Sequence, residues 1–142
     1  LVGVREHGVR VRFDIDPAAG WVVADKVQVQ QVLLNLIRNA VDVMEEAPVR
    51  HLGVTVLPVD EERVRITVSD TGAGISPGVA DQLFQPFVTT KRTGMGVGLS
   101  ISRTIIEAHG GRIWFDSNEA GGTNFHFTLE RSRPDEEPAD DE

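Results

Sequence analysis

Two asparagines, Asn35 and Asn39, stand one helical turn apart in a segment that is otherwise mostly apolar. They belong to a polar stripe that falls within an arc of roughly 80° on a helix and consists of Gln28, Gln31, Asn35, Asn39 and Asp42. Asparagine is a poor helix former, and two amides on one face of a core helix need hydrogen-bond partners. The stripe is either a solvated outer face or a row of amides facing a cleft with polyphosphate and Mg²⁺, a cation that prefers oxygen ligands. Spacing alone leaves both alternatives open.

A first glycine-rich segment, Asp70-Thr71-Gly72-Ala73-Gly74-Ile75, directly follows a predicted strand. Glycines at alternate positions, Gly72 and Gly74, permit positive φ angles and a close approach of the backbone to a flat ligand. The carboxylate of Asp70 can accept a hydrogen bond from an exocyclic amino group such as that of adenine. A plain Asp-Gly turn is the alternative, and taken alone the segment favours it.

A second glycine-rich segment, Gly94-Met95-Gly96-Val97-Gly98-Leu99, opens a predicted helix. Backbone N–H groups at a helix start, together with the helix dipole, form an anion site. The segment is not a Rossmann fingerprint, because position 99 is leucine, and it is not a Walker loop, because no Gly-Lys-Ser/Thr follows. We interpret it as a phosphate-contacting lid, with a flexible linker as the alternative. Lys91, just before it, is a candidate mobile cation for the terminal phosphate.

The hydrophobic pattern predicts the elements that position these residues. Strands are predicted over residues 9–15 (half-buried), 21–24, 52–59, 63–69, 112–116 and 124–129. Helices are predicted over 26–46, 76–83 and 97–109, the first with Asp25 as N-cap and Gln28 as its capping-box partner. Because strands and helices do not alternate strictly, the expected fold class is α+β. It is a two-layer sandwich with a mixed, mostly antiparallel sheet and helices on one face.

Composition excludes several kinds of site. The 142 residues have room for one domain, and the absence of cysteine excludes disulfides and thiol chemistry. No apolar run is long enough to span a bilayer. Residues 131–142 hold six acids and two arginines, which leaves 16 acids and 12 bases for residues 1–130. We therefore expect one domain over 1–130, an acidic disordered tail over 131–142, and no nucleic-acid surface.

In their order along the chain, these segments resemble the catalytic, ATP-binding domain of sensor histidine kinases, in the superfamily of gyrase, chaperone and mismatch-repair ATPases. The resemblance covers about residues 8–130 and implies the Bergerat ATP-binding fold. It rests on five motifs, namely Asn35–Ala40, Asp70–Ile75, Phe84–Phe87, Gly94–Leu99 and Gly121–Thr123. Two further runs, Thr89–Lys91 and Glu107–Gly111, are similar to the oxygen- and nitrogen-sensing branch of these kinases.

By position, the resemblance implies that Asn39 is the magnesium ligand and Asn35 a neighbouring phosphate contact. Asp70 would recognise adenine, helped by Gly74 and, through water, by Thr123, while Lys91 would approach the γ-phosphate. Phe84 and Phe87 would anchor the lid, or serve as ordinary core aromatics. Asp42 departs from the family pattern, since many relatives carry a phosphate-contacting basic residue there, and this leaves it at most a water-mediated role. The residues expected at the nucleotide are Asn35, Asn39, Asp70, Gly72, Gly74, Lys91, Gly94, Gly96, Gly98, Leu99 and Thr123.

Position 35 indicates which reaction to expect. In the hydrolysing ATPases and the serine kinases of this superfamily, a glutamate four residues before the metal-binding asparagine acts as general base. The amide of Asn35 cannot accept a proton at neutral pH, whereas a neutral histidine acceptor is already nucleophilic and needs only positioning and charge neutralisation. We therefore expect a protein-histidine kinase that uses Mg²⁺ and ATP. The alternatives are an ATPase or serine kinase of the superfamily, and a degenerate binding module.

The four histidines are not expected to accept phosphate, because the resemblance places the acceptor on a separate helical hairpin. One of them, His109, ends a predicted helix, where the dipole favours a charged ring. We expect a monomer in the cytoplasm that binds ATP but does not autophosphorylate alone. This expectation is compatible with a parent protein that is anchored in a membrane. Its partners would be the dimerisation domain directly and a response regulator indirectly, without nucleic acid or direct membrane contact.

Overall fold

The computed structural model describes residues 8–74, 95–119 and 121–132, the backbone alone at 95–98. Within them, five strands form one sheet in the order β1-β2-β3-β5-β4. Their bounds are β1 Arg10–Ile15, β2 His51–Pro58, β3 Arg63–Ser69, β4 Ile113–Ser117 and β5 Thr123–Glu130. The first pair, β1 and β2, is parallel, and every other pair is antiparallel. The predicted mixed, mostly antiparallel sheet is confirmed.

Two long helices, α1 (Lys26–Val43) and α2 (Met95–Ala108), pack on one face of this sheet. Strand residues alternate, so that every second side chain of β3 and β5 enters the core. The core joins them to buried residues of the helices, among them Val64, Ile66, Val68, Phe125, Phe127, Leu129, Leu36, Ala40, Leu99 and Ile106. The arrangement is the two-layer α+β sandwich that the sequence predicts.

Helix α1 begins as predicted, since the side chain of Asp25 accepts a hydrogen bond from the N–H of Gln28 at 3.0 Å. The reciprocal half of the predicted capping box is wrong, because the N–H of Asp25 donates to Nε2 of His109 rather than to the side chain of Gln28. It ends at Val43, three residues before the predicted end, and a turn follows. Helix α2 begins at Met95, inside the second glycine-rich segment and two residues before the predicted start. Glycine is tolerated there because the first turn of a helix has N–H groups without intrahelical partners.

The predicted half-buried strand over residues 9–15 is wrong in its burial. All six residues of β1 are exposed, Phe13 by 59% and Ile15 by 61%. The register with β2 places them on the core face of the sheet, but β1 is an edge strand and α1 lies over β2 and β3 instead. The apolar alternation therefore predicted the strand correctly but overestimated how far its side chains are buried.

The predicted strand over residues 21–24 is also wrong, because only Val22 forms a bridge there, to Arg131. The preceding turn is a short 3-10 helix, Pro17–Ala19, capped by Asp16. Several predictions lie outside the described residues, namely the helix over 76–83, Phe84, Phe87, Lys91, Gly94, His7 and the tail beyond residue 132. Within the described part of the chain, no helix is both long and apolar enough to cross a membrane.

Candidate functional site

The polar stripe of α1 passes from solvent into the protein along the helix. Gln28 and Gln31 are exposed, Asn35 and Asp42 are half-buried, and Asn39 is only 5% exposed. A solvated outer face would leave all five side chains in water. The gradient therefore excludes that alternative for the second half of the stripe, where the two asparagines lie.

Asn35 contacts helix α2. Its Nδ2 donates to the hydroxyl oxygen of Ser102 at 3.3 Å, and Ser102 has no exposed surface. No local sequence pattern indicates this contact, because the two residues are 67 positions apart. The nearest hint was a serine in the apolar helix of residues 97–109, which periodicity alone treats as a small core residue.

A second contact joins the other ends of these helices. Nε2 of His109 accepts a hydrogen bond from the backbone N–H of Asp25 at 3.0 Å, and Nδ1 lies 2.8 Å from the carbonyl of Ile105. A backbone N–H only donates and a carbonyl only accepts, so Nε2 is the acceptor and Nδ1 the donor in these two contacts. The ring thus links the end of α2 to the start of α1, a hydrogen-bonding role that the sequence did not indicate.

Asp70 follows the last residue of β3 and is 1% exposed. Its Oδ1 accepts two backbone N–H groups, from Gly72 at 2.9 Å and from Thr123 at 3.2 Å. Its own N–H donates to the carbonyl of Thr123 at 3.0 Å. Two donors on one oxygen fix the plane of the carboxylate. The structure thus brings Asp70 and Thr123 together as predicted, by direct backbone bonds; the water-mediated role of Thr123 stays a prediction.

The hairpin between β4 and β5 supports Asp70 from the other side. Nδ2 of Asn118 donates to the carbonyl of Asp70 at 2.8 Å, and its Oδ1 accepts the N–H of Gly122 at 3.0 Å. A Cβ at Gly122 would collide with that same carbonyl. Sequence reasoning missed Asn118 altogether and included Gly122 only as part of a motif.

The two glycines after Asp70 have different reasons to be glycine. Gly74 has a φ of 82°, the left-handed conformation that the sequence predicted. A Cβ at Gly72 would stand 2.7 Å from the carbonyl oxygen of Val43, so this glycine lets the loop pack against the end of α1. Helix α1 and the Asp70 loop are therefore in direct contact.

A cavity of about 540 Å³ lies between the end of α1 and this loop. It is lined by Val43, Glu46, Ala47, Pro48, Val49, Thr71, Gly72 and Ala73. A larger hollow of about 720 Å³ is lined by residues of β1 and β2, among them Arg10, Arg12 and Gly53, and also by Asp70, Thr71 and Asn118. The larger hollow includes no residue of α1, whereas the smaller cavity includes Val43, the last residue of that helix.

The structure describes some of the remaining predicted site residues. Gly96 and Gly98 lie in the first turn of α2, where the N–H groups of a helix lack intrahelical partners. Leu99 is 1% exposed and its side chain belongs to the core, which leaves only its backbone for contact with a ligand. Lys91 and Gly94 lie outside the described residues. Among the described residues, no cluster of three or more His, Cys, Asp or Glu could hold a metal ion.

The donor set fits a magnesium nucleotide rather than a metal held by protein alone. Asn39 offers a buried amide, Asp70 a fixed carboxylate, and α2 the N–H groups of its first turn. Magnesium usually takes one or two protein ligands and completes its shell with water and phosphate oxygens. A single amide oxygen near a helix start that favours anions matches this requirement.

Comparison with known proteins agrees with this geometry. A family described as histidine kinase-, DNA gyrase B- and HSP90-like ATPase matches residues 24–133. The sensor protein FixL of Bradyrhizobium diazoefficiens is 56% identical over 129 residues, which cover 91% of this chain and 26% of that protein. The chain therefore spans about a quarter of that relative's length.

Solved structures show the same similarity. The nucleotide-free catalytic domain of the histidine kinase ThkA aligns with a TM-score of 0.80 at 35% identity, covering 90% of this chain and 82% of that one. Full-length ShkA in complex with AMPPNP aligns with a TM-score of 0.75 at 28% identity, covering 91% of this chain and 27% of that one.

Proposed function

Because this chain belongs to the family of histidine kinase-, DNA gyrase B- and HSP90-like ATPases, as the catalytic ATP-binding domain of a sensor histidine kinase, we propose that it transfers the γ-phosphoryl group of Mg-ATP to a histidine. That histidine lies on a separate dimerisation domain. The observation that carries the proposal is the buried Asp70 carboxylate, whose plane is fixed by two backbone N–H groups. Asp70 directly precedes Thr71, Gly72 and Ala73, which line the cavity of about 540 Å³.

Asp70 is the proposed adenine-recognising residue. Since Oδ1 accepts from Gly72 and Thr123, Oδ2 is the atom assigned to the exocyclic amino group of adenine. A charged acceptor in a buried setting makes a hydrogen bond of greater strength than a neutral one. Gly72 and Gly74 shape the loop beside it, and Thr123 contributes through water.

Asn39 is the proposed magnesium ligand, through its amide oxygen, and Asn35 the neighbouring phosphate contact. The backbone of residues 94–99 would hold the phosphates by its N–H groups, with Lys91 at the γ-phosphate. Bound magnesium would neutralise phosphate charge and orient the triphosphate. The chain's own residues position the nucleotide, and they contribute no covalent chemistry.

Transfer rather than hydrolysis follows from Asn35. An amide cannot remove a proton from water or from a serine hydroxyl, and this amide is engaged with Ser102. An imidazole acceptor attacks without such a base. Turnover of ATP by the chain alone would instead support the ATPase or serine kinase alternative.

The partners follow from this chemistry. The dimerisation domain is the direct protein partner and a response regulator the indirect one. The chain uses ATP, and its phosphorylated acceptor passes the phosphoryl group to a response regulator, so we assign it to the cytoplasm. We also assign it as a monomeric unit of its parent protein.

A nucleotide titration tests the proposal. Calorimetry with a non-hydrolysable ATP analogue should show binding, and Asn39→Ala should weaken it about tenfold or more only when magnesium is present. Asp70→Asn should weaken binding by a similar factor with or without magnesium, because it alters the adenine contact.

Two matched variants serve as controls. Gln30→Ala removes an exposed amide from the same helix, and Asp60→Asn changes a carboxylate that caps the turn between β2 and β3. Both should bind like the parent chain. If the parent chain shows neither binding heat nor a shift in melting temperature with the ATP analogue, it is a degenerate binding module that takes no nucleotide. The proposal then fails.

A further inference from the structure

Ser102 is a hydroxyl in a place where packing alone would favour alanine. It has no exposed surface and lies in α2 between the core residues Leu99 and Ile106. Alanine is the better helix former, and a buried hydroxyl costs free energy unless it is hydrogen-bonded. The hydroxyl of Ser102 is bonded to Asn35 of the neighbouring helix at 3.3 Å.

The two contacts between the helices define how they lie against each other. Asp25 meets His109, and Asn35 meets Ser102, so α1 and α2 run antiparallel. One further turn is about four residues on each helix. It brings Asn39 level with Gly98, in the first turn of α2. The bond between Asn35 and Ser102 therefore lies one turn from the point where the proposed magnesium ligand and the proposed phosphate-binding backbone come together.

We infer that Ser102 is a positioning residue, which holds the amide of Asn35 in the orientation that the metal-bound triphosphate requires. The inference rests on the proposed function. Ordering a half-buried side chain when a ligand binds costs conformational entropy. The bond to Ser102 orders it beforehand.

The test is a double-mutant cycle on the 142-residue chain, read by calorimetry with the ATP analogue. Ser102→Ala should weaken binding in the presence of magnesium about three- to tenfold, the range expected for one hydrogen bond. It should leave the affinity for adenosine unchanged, because adenosine lacks the phosphates. In the Asn35→Ala background, Ser102→Ala should have no further effect, since the residue acts through Asn35.

Thr104→Ala is the matched control. Thr104 is exposed on the same helix, and its hydroxyl donates to the carbonyl of Ser100 at 3.1 Å. The variant loses a hydroxyl without touching α1 and should bind like the parent. Ser102→Thr, which keeps the hydroxyl, should retain more affinity than Ser102→Ala, and melting curves report whether each variant is folded.

The outcomes separate the two proposals. If the parent chain binds the analogue and Ser102→Ala binds equally well, the positioning role is wrong and the proposed function stands. Equal weakening by Ser102→Ala with and without Asn35 would also overturn it, because the serine would then act on the fold directly. If the parent does not bind nucleotide at all, the proposed function itself fails.

Discussion

Gly122 shows how closely the backbone packs around the proposed adenine contact. A Cβ at this position would collide with the carbonyl of Asp70 and stand 2.9 Å from its Oδ1. Its neighbour Gly121 has a φ of 85°, yet a Cβ there would meet nothing within 4 Å. Gly122 is therefore required for steric reasons, and Gly121 for its backbone conformation. The sequence motif Gly121-Gly122-Thr123 marks the place without distinguishing these roles.

Gly122→Ala should therefore displace Asp70. We expect a loss of unfolding free energy of about 2 kcal/mol or more and a loss of nucleotide affinity of about tenfold or more. Gly121→Ala should cost about 1 kcal/mol from backbone strain alone and leave affinity intact. Urea denaturation and calorimetry measure both. Equal affinities for the two variants would contradict the role assigned to Gly122.

Helices α1 and α2 are joined at two points by polar contacts that bridge 67 and 84 residues of chain. The sequence located both helices, because a 3.6-residue period and the Asp25 cap are local properties. It did not reveal that His109 reaches the start of α1, or that Asn35 reaches Ser102. Partners so far apart in sequence are determined by tertiary packing, which no local pattern encodes.

His109→Leu should lower the unfolding free energy by about 1–2 kcal/mol, because it leaves the N–H of Asp25 and the carbonyl of Ile105 without the ring nitrogens. His51→Leu is the control, since His51 is exposed at the start of β2. Urea denaturation at neutral pH measures both variants. A loss no greater for His109→Leu than for His51→Leu would show that the link between the helices contributes no stability.

At the scale of the whole molecule, the mixed, mostly antiparallel sheet and the two layers were predicted from the order of strands and helices, whereas the strand order within the sheet was not. The exposure of β1 did not, because alternation states which residues share a face and says nothing of what covers that face. For the site, the structure brings Asp70 and Thr123 together and buries Asn39, while the binding roles of all the predicted residues remain predictions. Asn118 and Ser102 were missed, since each acts through a partner in a distant segment.

Phosphoryl transfer is a property of more than this chain, which spans about a quarter of FixL. Mixing it with a dimerisation domain and labelled ATP should label the acceptor histidine with an acid-labile phosphate, while the chain alone stays unlabelled. Asn39→Ala should reduce labelling at least as much as it reduces binding, because the metal neutralises charge. An acceptor domain lacking its histidine is the control. Label on the chain itself would contradict the assignment.

Arg131 and Ser132 bond to the domain: the guanidinium of Arg131 reaches the carbonyls of Asp60 and Ala18, and the N–H of Ser132 reaches Trp21. The eight residues of β5 separate this point from Thr123, beside Asp70, by about 25 Å. Six carboxylates follow Ser132 in the sequence. Ser132, which precedes them, is therefore about three screening lengths from Thr123, since the Debye length at physiological salt is about 8 Å. The last described residues therefore connect a run of six carboxylates to the protein at a point distant from the proposed adenine contact.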